Sequence, residues 1–99
     1  MKDIPLESNI QKDILKYLKS RNDCWFFKAH SGSSYSSKGT PDIIGHYRGL
    51  FVGFEVKRPK VGVLSDLQAN TIRKINTTGG RAYIVTSVEE VKEILENVG

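Results

Sequence analysis

Apolar positions along the chain change period from one segment to the next, and each period predicts an element. Ile10, Ile14, Tyr17 and Leu18 stand at i, i+4, i+7 and i+8, the spacing of one helical face, which predicts an amphipathic helix over about residues 5 to 20. Pro5 suits its first turn, where a missing amide proton is no loss. Cys24 to Ala29 is short and aromatic and reads as a buried strand, with Trp25, Phe26 and Phe27 filling the core. The run from Ser31 to Gly39 is too rich in Ser and Gly to pack and reads as a mobile loop. Asp42 to Tyr47 and Leu50 to Lys57 are strand-like runs flanking Arg48-Gly49, a hairpin turn. Ser65 and Gln68 have the spacing of a capping box, and the stripe Leu67, Thr71, Ile72 and Ile75 stops at Gly79-Gly80. Arg81 to Thr86 reads as a strand. Ser87 with Glu90 forms a second capping box, opening a helix with Val91, Ile94, Leu95 and Val98 on its apolar side. The order is αβββαβα, an α/β fold with a mixed central sheet flanked by helices.

The hairpin carries the chemistry. With the turn centred on Arg48-Gly49, Asp42 stands directly opposite Glu55, and opposed residues share a face with Cβ atoms about 5 Å apart. Lys57, two residues beyond Glu55, points to that same face. Two carboxylates at such range repel, and one would be forced to keep a proton. A divalent ion removes the conflict: two carboxylates, a backbone carbonyl and waters are the hard-oxygen surroundings that Mg2+ or Mn2+ prefers. Such an ion polarises a phosphoryl oxygen and acidifies a bound water, while Lys57 positions or deprotonates that water or stabilises the pentavalent transition state. This is the equipment of phosphodiester hydrolysis. Asp42 after Pro41 also suits a turn, and Glu55 with Lys57 a solvated pair. However, Glu55 lies between Phe54 and Val56 in the most apolar strand, where a carboxylate needs a reason.

Composition narrows the classes. At 99 residues and 11.1 kDa there is material for one domain, 1–99, and 38% hydrophobic with 26% charged residues excludes disordered and fibrous chains. The longest apolar stretch, Leu50 to Val56, contains Gly53 and Glu55 and falls far short of the roughly 20 residues of a membrane span. Met1 to Pro5 holds no apolar signal region, and the lone Cys24 can form neither an internal disulfide nor a two-thiol zinc site, so the expected location is a reducing cytoplasm. The net charge of +4 resides in residues 28–60, where Lys28, Lys38, Arg48, Lys57, Arg58 and Lys60 face only Asp42 and Glu55. That is the footprint of a polyanion partner. Lys28, Lys38, Arg58 and Lys60 are candidates for phosphate contacts. His30 beside the loop is another candidate DNA contact, whereas His46 lacks metal-ligand spacing and reads as structural.

Gly39-Thr-Pro-Asp42, followed after a hairpin by Phe54-Glu-Val-Lys57, resembles the bipartite signature of the PD-(D/E)xK nuclease superfamily. More closely, the chain resembles a stand-alone VRR-NUC domain, the virus-type replication and repair nuclease module, over nearly its whole length. The resemblance implies a restriction-endonuclease-like core in which Asp42, Glu55 and the Val56 carbonyl ligate Mg2+ or Mn2+ and Lys57 is the catalytic lysine. It places Glu7 near the metal and gives Gln68 a role in orienting the lysine or the substrate, although Gln68 also fits the capping box and Glu7 suits a first helical turn. It further implies a homodimer cutting branched DNA in the manner of a Holliday junction resolvase, in a bacterial or phage-infected cell. The competing readings are a nicking or flap-trimming nuclease, a non-catalytic nucleic-acid-binding module and a protein-interaction subunit. The intact set Asp42, Glu55 and Lys57 argues against the last two. No motif reads base edges, so binding is expected to follow DNA structure rather than sequence.

Overall fold

The computed structural model describes residues 4–29 and 39–98. His30, Lys38 and the expected loop, apart from Gly39, lie outside the described residues. The elements are α1 (Glu7–Lys19), β1 (Cys24–Lys28), β2 (Ile43–Tyr47), β3 (Leu50–Val56), α2 (Asp66–Thr77), β4 (Arg81–Val85) and α3 (Val88–Asn97), in the expected αβββαβα order. The first helix starts at Glu7 rather than Pro5, because Leu6 is extended at φ −69° and ψ 146° and stands as the N-cap. Glu7 in the first turn and Lys16 and Lys19 in the last complement the helix dipole.

Strand order in the sheet is β1-β2-β3-β4, with β1, β2 and β3 antiparallel and β4 parallel to β3 through the α2 crossover. Arg48 and Gly49 both have left-handed backbone, φ 50° and 85°, the combination of a type I′ hairpin turn. A two-residue turn fixes the register, which runs from Tyr47↔Leu50 to Ile43↔Phe54 and leaves Asp42 one step beyond the ladder, on the line toward Glu55.

Alternation along the strands separates two unlike faces. Phe26, Ile43, Val52, Phe54, Val56 and Val85 point to one side and pack with Ile10, Ile14 and Leu18 of α1 and Val91 and Leu95 of α3. The Phe54 ring lies 5.6 Å from Phe26 and 6.0 Å from Tyr83. Each such side chain contributes about 1.5–3 kcal/mol by leaving water, so this face is the main source of stability. On the other side, among the described elements, only α2 covers the sheet, and it sits over β4, where Asn76 both accepts from the Ala82 amide and donates to the Ala82 carbonyl. The expectation that Trp25, Phe26 and Phe27 are all core is therefore corrected. Phe26 is buried, while Trp25 is 59% and Phe27 41% exposed on the open face beside β2. The second capping box is half formed: Ser87 Oγ accepts from the Glu90 amide, but the Glu90 carboxylate turns to the amide and hydroxyl of Thr86. No helix among the described residues is long and apolar enough to cross a membrane.

Candidate active site

The end of the β2–β3 ladder is built around a proline. Pro41 has no N–H to offer the Val56 carbonyl, so the pairing stops there, and the Val56 amide donates to Asp42 Oδ2 at 2.9 Å. The Asp42 carbonyl accepts from the Ala29 amide at 2.8 Å. Asp42 is thereby fixed from both neighbouring strands, and the Val56 carbonyl points to the same edge as its amide. Pro41 itself is fully buried against Gly53, where a Cβ would stand 3.0 Å and 3.2 Å from the Pro41 Cγ and Cβ. A glycine inside the most apolar strand thus seats the loop that presents Asp42, a role that sequence reading missed although an isolated strand glycine signals close approach. Gly53→Val should displace Pro41 and cost about 1–3 kcal/mol in chemical denaturation.

Glu55 is 1% exposed, walled by core on either side of it in the strand. Its Oε2 accepts from Gln68 Nε2 at 2.9 Å and faces Lys57 Nζ at 3.5 Å, whereas the buried Oε1 has no hydrogen-bond partner among the described residues. Burial, reinforced by the charge of Asp42, pushes the Glu55 carboxyl up to about 8, and the Lys57 ammonium acts in the opposite sense. Glu7, Asp42 and Glu55 each bring a carboxylate oxygen within 4.8 Å of the others. Three hard oxygen donors, one of them buried with an unsatisfied lone pair, suit a small divalent cation of the Mg2+ or Mn2+ type, and the absence of thiol or imidazole from the trio disfavours softer metals.

Gln68 resolves an apparent choice between cap and site, because its two amide atoms do different things. Oε1 accepts from the Ser65 amide at 3.0 Å and completes the capping box, which turns the NH2 group onto Glu55. Gln68→Glu should keep the cap and thus the helix, yet replace the donor to Glu55 by another carboxyl, which raises the pH at which Glu55 ionises and so moves cation binding to higher pH, as titration calorimetry across a pH series would read.

The remaining candidates divide. Lys57 is braced by a turn in which the Gly62 amide donates to the Arg58 carbonyl, and a Cβ on Gly62 would come within 2.7 Å of the Lys57 Cβ. Arg58, expected among the phosphate contacts, has its guanidinium on the Ile4 and Pro5 carbonyls, both at 3.1 Å. It ties down the segment entering α1 and so helps place Glu7, a link across more than fifty residues that no local pattern announces. Lys60 and Lys28 are exposed, and His46 lies on the open face with its ring 6.3 Å from Trp25.

No protein-family model and no curated protein matches the sequence. Among solved structures, the chain is similar to a "VRR_NUC domain" at TM-score 0.75 and 20% identity, covering 94% of this chain and 97% of that one. It is also similar to a "VRR_NUC domain protein" at TM-score 0.76 and 14% identity, covering 97% and 88%. Over nearly all of its length, therefore, the chain has the restriction-endonuclease-like fold of VRR-NUC structures.

Proposed function

We propose that residues 1–99 form one nuclease domain that hydrolyses phosphodiester bonds in DNA with Mg2+ or Mn2+. The observation that carries this reading is the meeting of Glu7, Asp42 and Glu55 within 4.8 Å, with Lys57 Nζ 3.5 Å from Glu55. Asp42, Glu55 and the Val56 carbonyl would hold the ion, with Glu7 beside it. When bound, the ion supplies Lewis-acid polarisation of the phosphoryl oxygen and a water of lowered pKa. Lys57 donates to the oxygen on which negative charge grows as phosphorus becomes five-coordinate, or holds the attacking water. Gln68 keeps Glu55 aimed at the centre through the bond that its own cap orients.

The preferred substrate in this reading is branched DNA, the four-way junction above all, cut by a homodimer with two active sites. The open sheet face supports pairing: Trp25, Phe27 and Phe51 are each more than two-fifths exposed there, and aromatic side chains of this kind anchor protein interfaces. Sedimentation at micromolar concentration should give a species of twice 11.1 kDa, and Trp25→Glu should return it to the monomer. An unaltered 11.1 kDa species in the parent protein would remove paired cutting from the proposal.

The deciding experiment is cleavage of end-labelled four-way junction, flap, duplex and single-stranded DNA in Mg2+, Mn2+ or EDTA, with Glu55→Ala alongside. Metal-dependent paired incision of the junction, lost in the variant, is the expected result. Faster cutting of flap or duplex would keep the active site and replace the junction by a nicking or flap substrate. Binding without cutting in any metal would overturn the enzymatic reading.

A further inference from the structure

Beside its core stripe, α1 carries a second stripe of different chemistry. Ser8, Lys12, Lys16 and Lys19 recur at i, i+4, i+8 and i+11 and, with Ser20 and Lys28 of β1, line a groove of 710 Å³ between the helix and the edge strand of the sheet. Among the described residues no carboxylate lines it. Asp13, the other acidic residue of α1 besides Glu7, faces away toward the segment joining β4 to α3. Among the described residues none of the four lysines has an ion-pair partner. Four unpaired ammonium groups along one trough repel one another; Lys16 and Lys19 complement the C-terminal end of the helix dipole, but Lys12 and Lys28 have no such role. A linear polyanion is the ligand that such an arrangement suits.

The groove is also placed with respect to the proposed cutting centre. Glu7, one residue before Ser8, belongs to the carboxylate cluster, so α1 leads directly from that cluster into the groove. Lys28 adjoins Ala29, whose amide donates to the Asp42 carbonyl at 2.8 Å. From Ser8 to Lys19 the helix rises about 16 Å, at 1.5 Å per residue. With one phosphate per strand for every 3.4 Å of duplex axis, that length corresponds to about five base pairs.

We propose that the α1–β1 groove is the track for the phosphodiester backbone of the DNA arm that leads away from the cut bond. The proposal rests on the nuclease reading and adds to it where the substrate lies and how much of it is held. Lysines act here as point charges and carry no base information, which fits binding set by DNA structure.

The test is fluorescence anisotropy in EDTA, so that no cutting intervenes, using labelled junctions with arms of 3 to 12 base pairs and a salt series. The triple variant Lys12→Gln, Lys16→Gln, Lys19→Gln is compared with Arg73→Gln, Lys74→Gln on the exposed side of α2. All are exposed positions where glutamine is a good helix former, and unaltered circular dichroism verifies folding. The triple variant should lower the slope of log affinity against log salt by about 2–3 and weaken binding by about tenfold or more at 0.1 M salt. The parent's affinity should climb with arm length until about five base pairs and then level off, and the triple variant should lack that climb. An equal loss in the α2 control would show bulk charge alone and overturn the proposal, as would an unchanged slope in the triple variant. A parent protein that binds DNA with no contribution from the groove would sink this inference and leave the nuclease reading standing, whereas a parent that binds no DNA would sink both. Binding to phosphatidylserine vesicles that the triple variant loses, with the DNA slope unchanged, would give the groove to a lipid surface instead.

Discussion

Lys57→Ala should lower DNA cleavage by about three orders of magnitude while leaving junction affinity within about twofold of the parent value. The size of the loss follows from what the ammonium group is asked to do. A preorganised donor aimed at charge that develops only in the transition state acts on the chemical step and adds little to ground-state binding. The position of Lys57 supports this assignment: its side chain is largely buried, its stem is braced by the Arg58 to Gly62 turn, and its nearest charged partner is the acid that would hold the ion. There is a second consequence. Lys57 is the cation that opposes proton uptake by Glu55, so its removal should also shift the cleavage optimum of any residual activity to higher pH. Lys57→Arg separates the two effects, since it keeps the positive charge beside Glu55 but replaces a compact ammonium by a planar guanidinium. That variant should keep the pH profile and still lose most of the rate. Cleavage that survives Lys57→Ala at an undiminished rate would remove the lysine from the chemistry.

How much of this was legible beforehand depended on how local the determining physics is. The opposition of Asp42 and Glu55 followed from a turn of two residues, because parity and register are then set within the hairpin itself. Helices were legible from their stripes and caps for the same reason. The outward position of Trp25 and Phe27 was not, since it depends on how many helices cover each side of the sheet. α1 and α3 share one face and α2 reaches only the β4 side of the other, so an aromatic strand at the far edge stays half open. The Arg58 tether to Ile4 and Pro5 joins residues from opposite ends of the fold, and a charge count assigns such an arginine to solvent or DNA by default. Gln68 failed as a choice between two roles because a carboxamide has two ends. The lysine groove was hidden by averaging: residues 1–27 carry nearly balanced charge, but α1 turns Glu7 and Asp13 away from the trough that Lys12, Lys16 and Lys19 line.

In the absence of divalent ions, Glu55→Gln should stabilise the protein at pH 8.5 by about 2–4 kcal/mol and have little effect at pH 5. The sign follows from the direction of the shift. The folded carboxyl holds its proton up to about 8, against an ordinary value of 4.5, so it is raised. Below about pH 4.5 the folded and unfolded chains both carry the proton and the site costs nothing extra. As the pH climbs from there toward 8, the unfolded chain releases the proton while the fold retains it, and stability falls until the folded group also ionises. Glutamine stays neutral throughout, keeps an oxygen to accept from Gln68 Nε2, and offers an NH2 group that a neighbouring Asp42 carboxylate attracts. For a chain of this length the difference is about 10–20 °C in Tm, well within reach of differential scanning calorimetry in EDTA. A divalent ion should restore the same loss in the parent protein, because it binds the ionised site: Mg2+ or Mn2+ should raise Tm strongly at pH 8.5, weakly at pH 5.5, and hardly at all in Glu55→Gln. Parent and variant melting curves that run parallel from pH 5 to 9 would show that Glu55 ionises as freely in the fold as outside it.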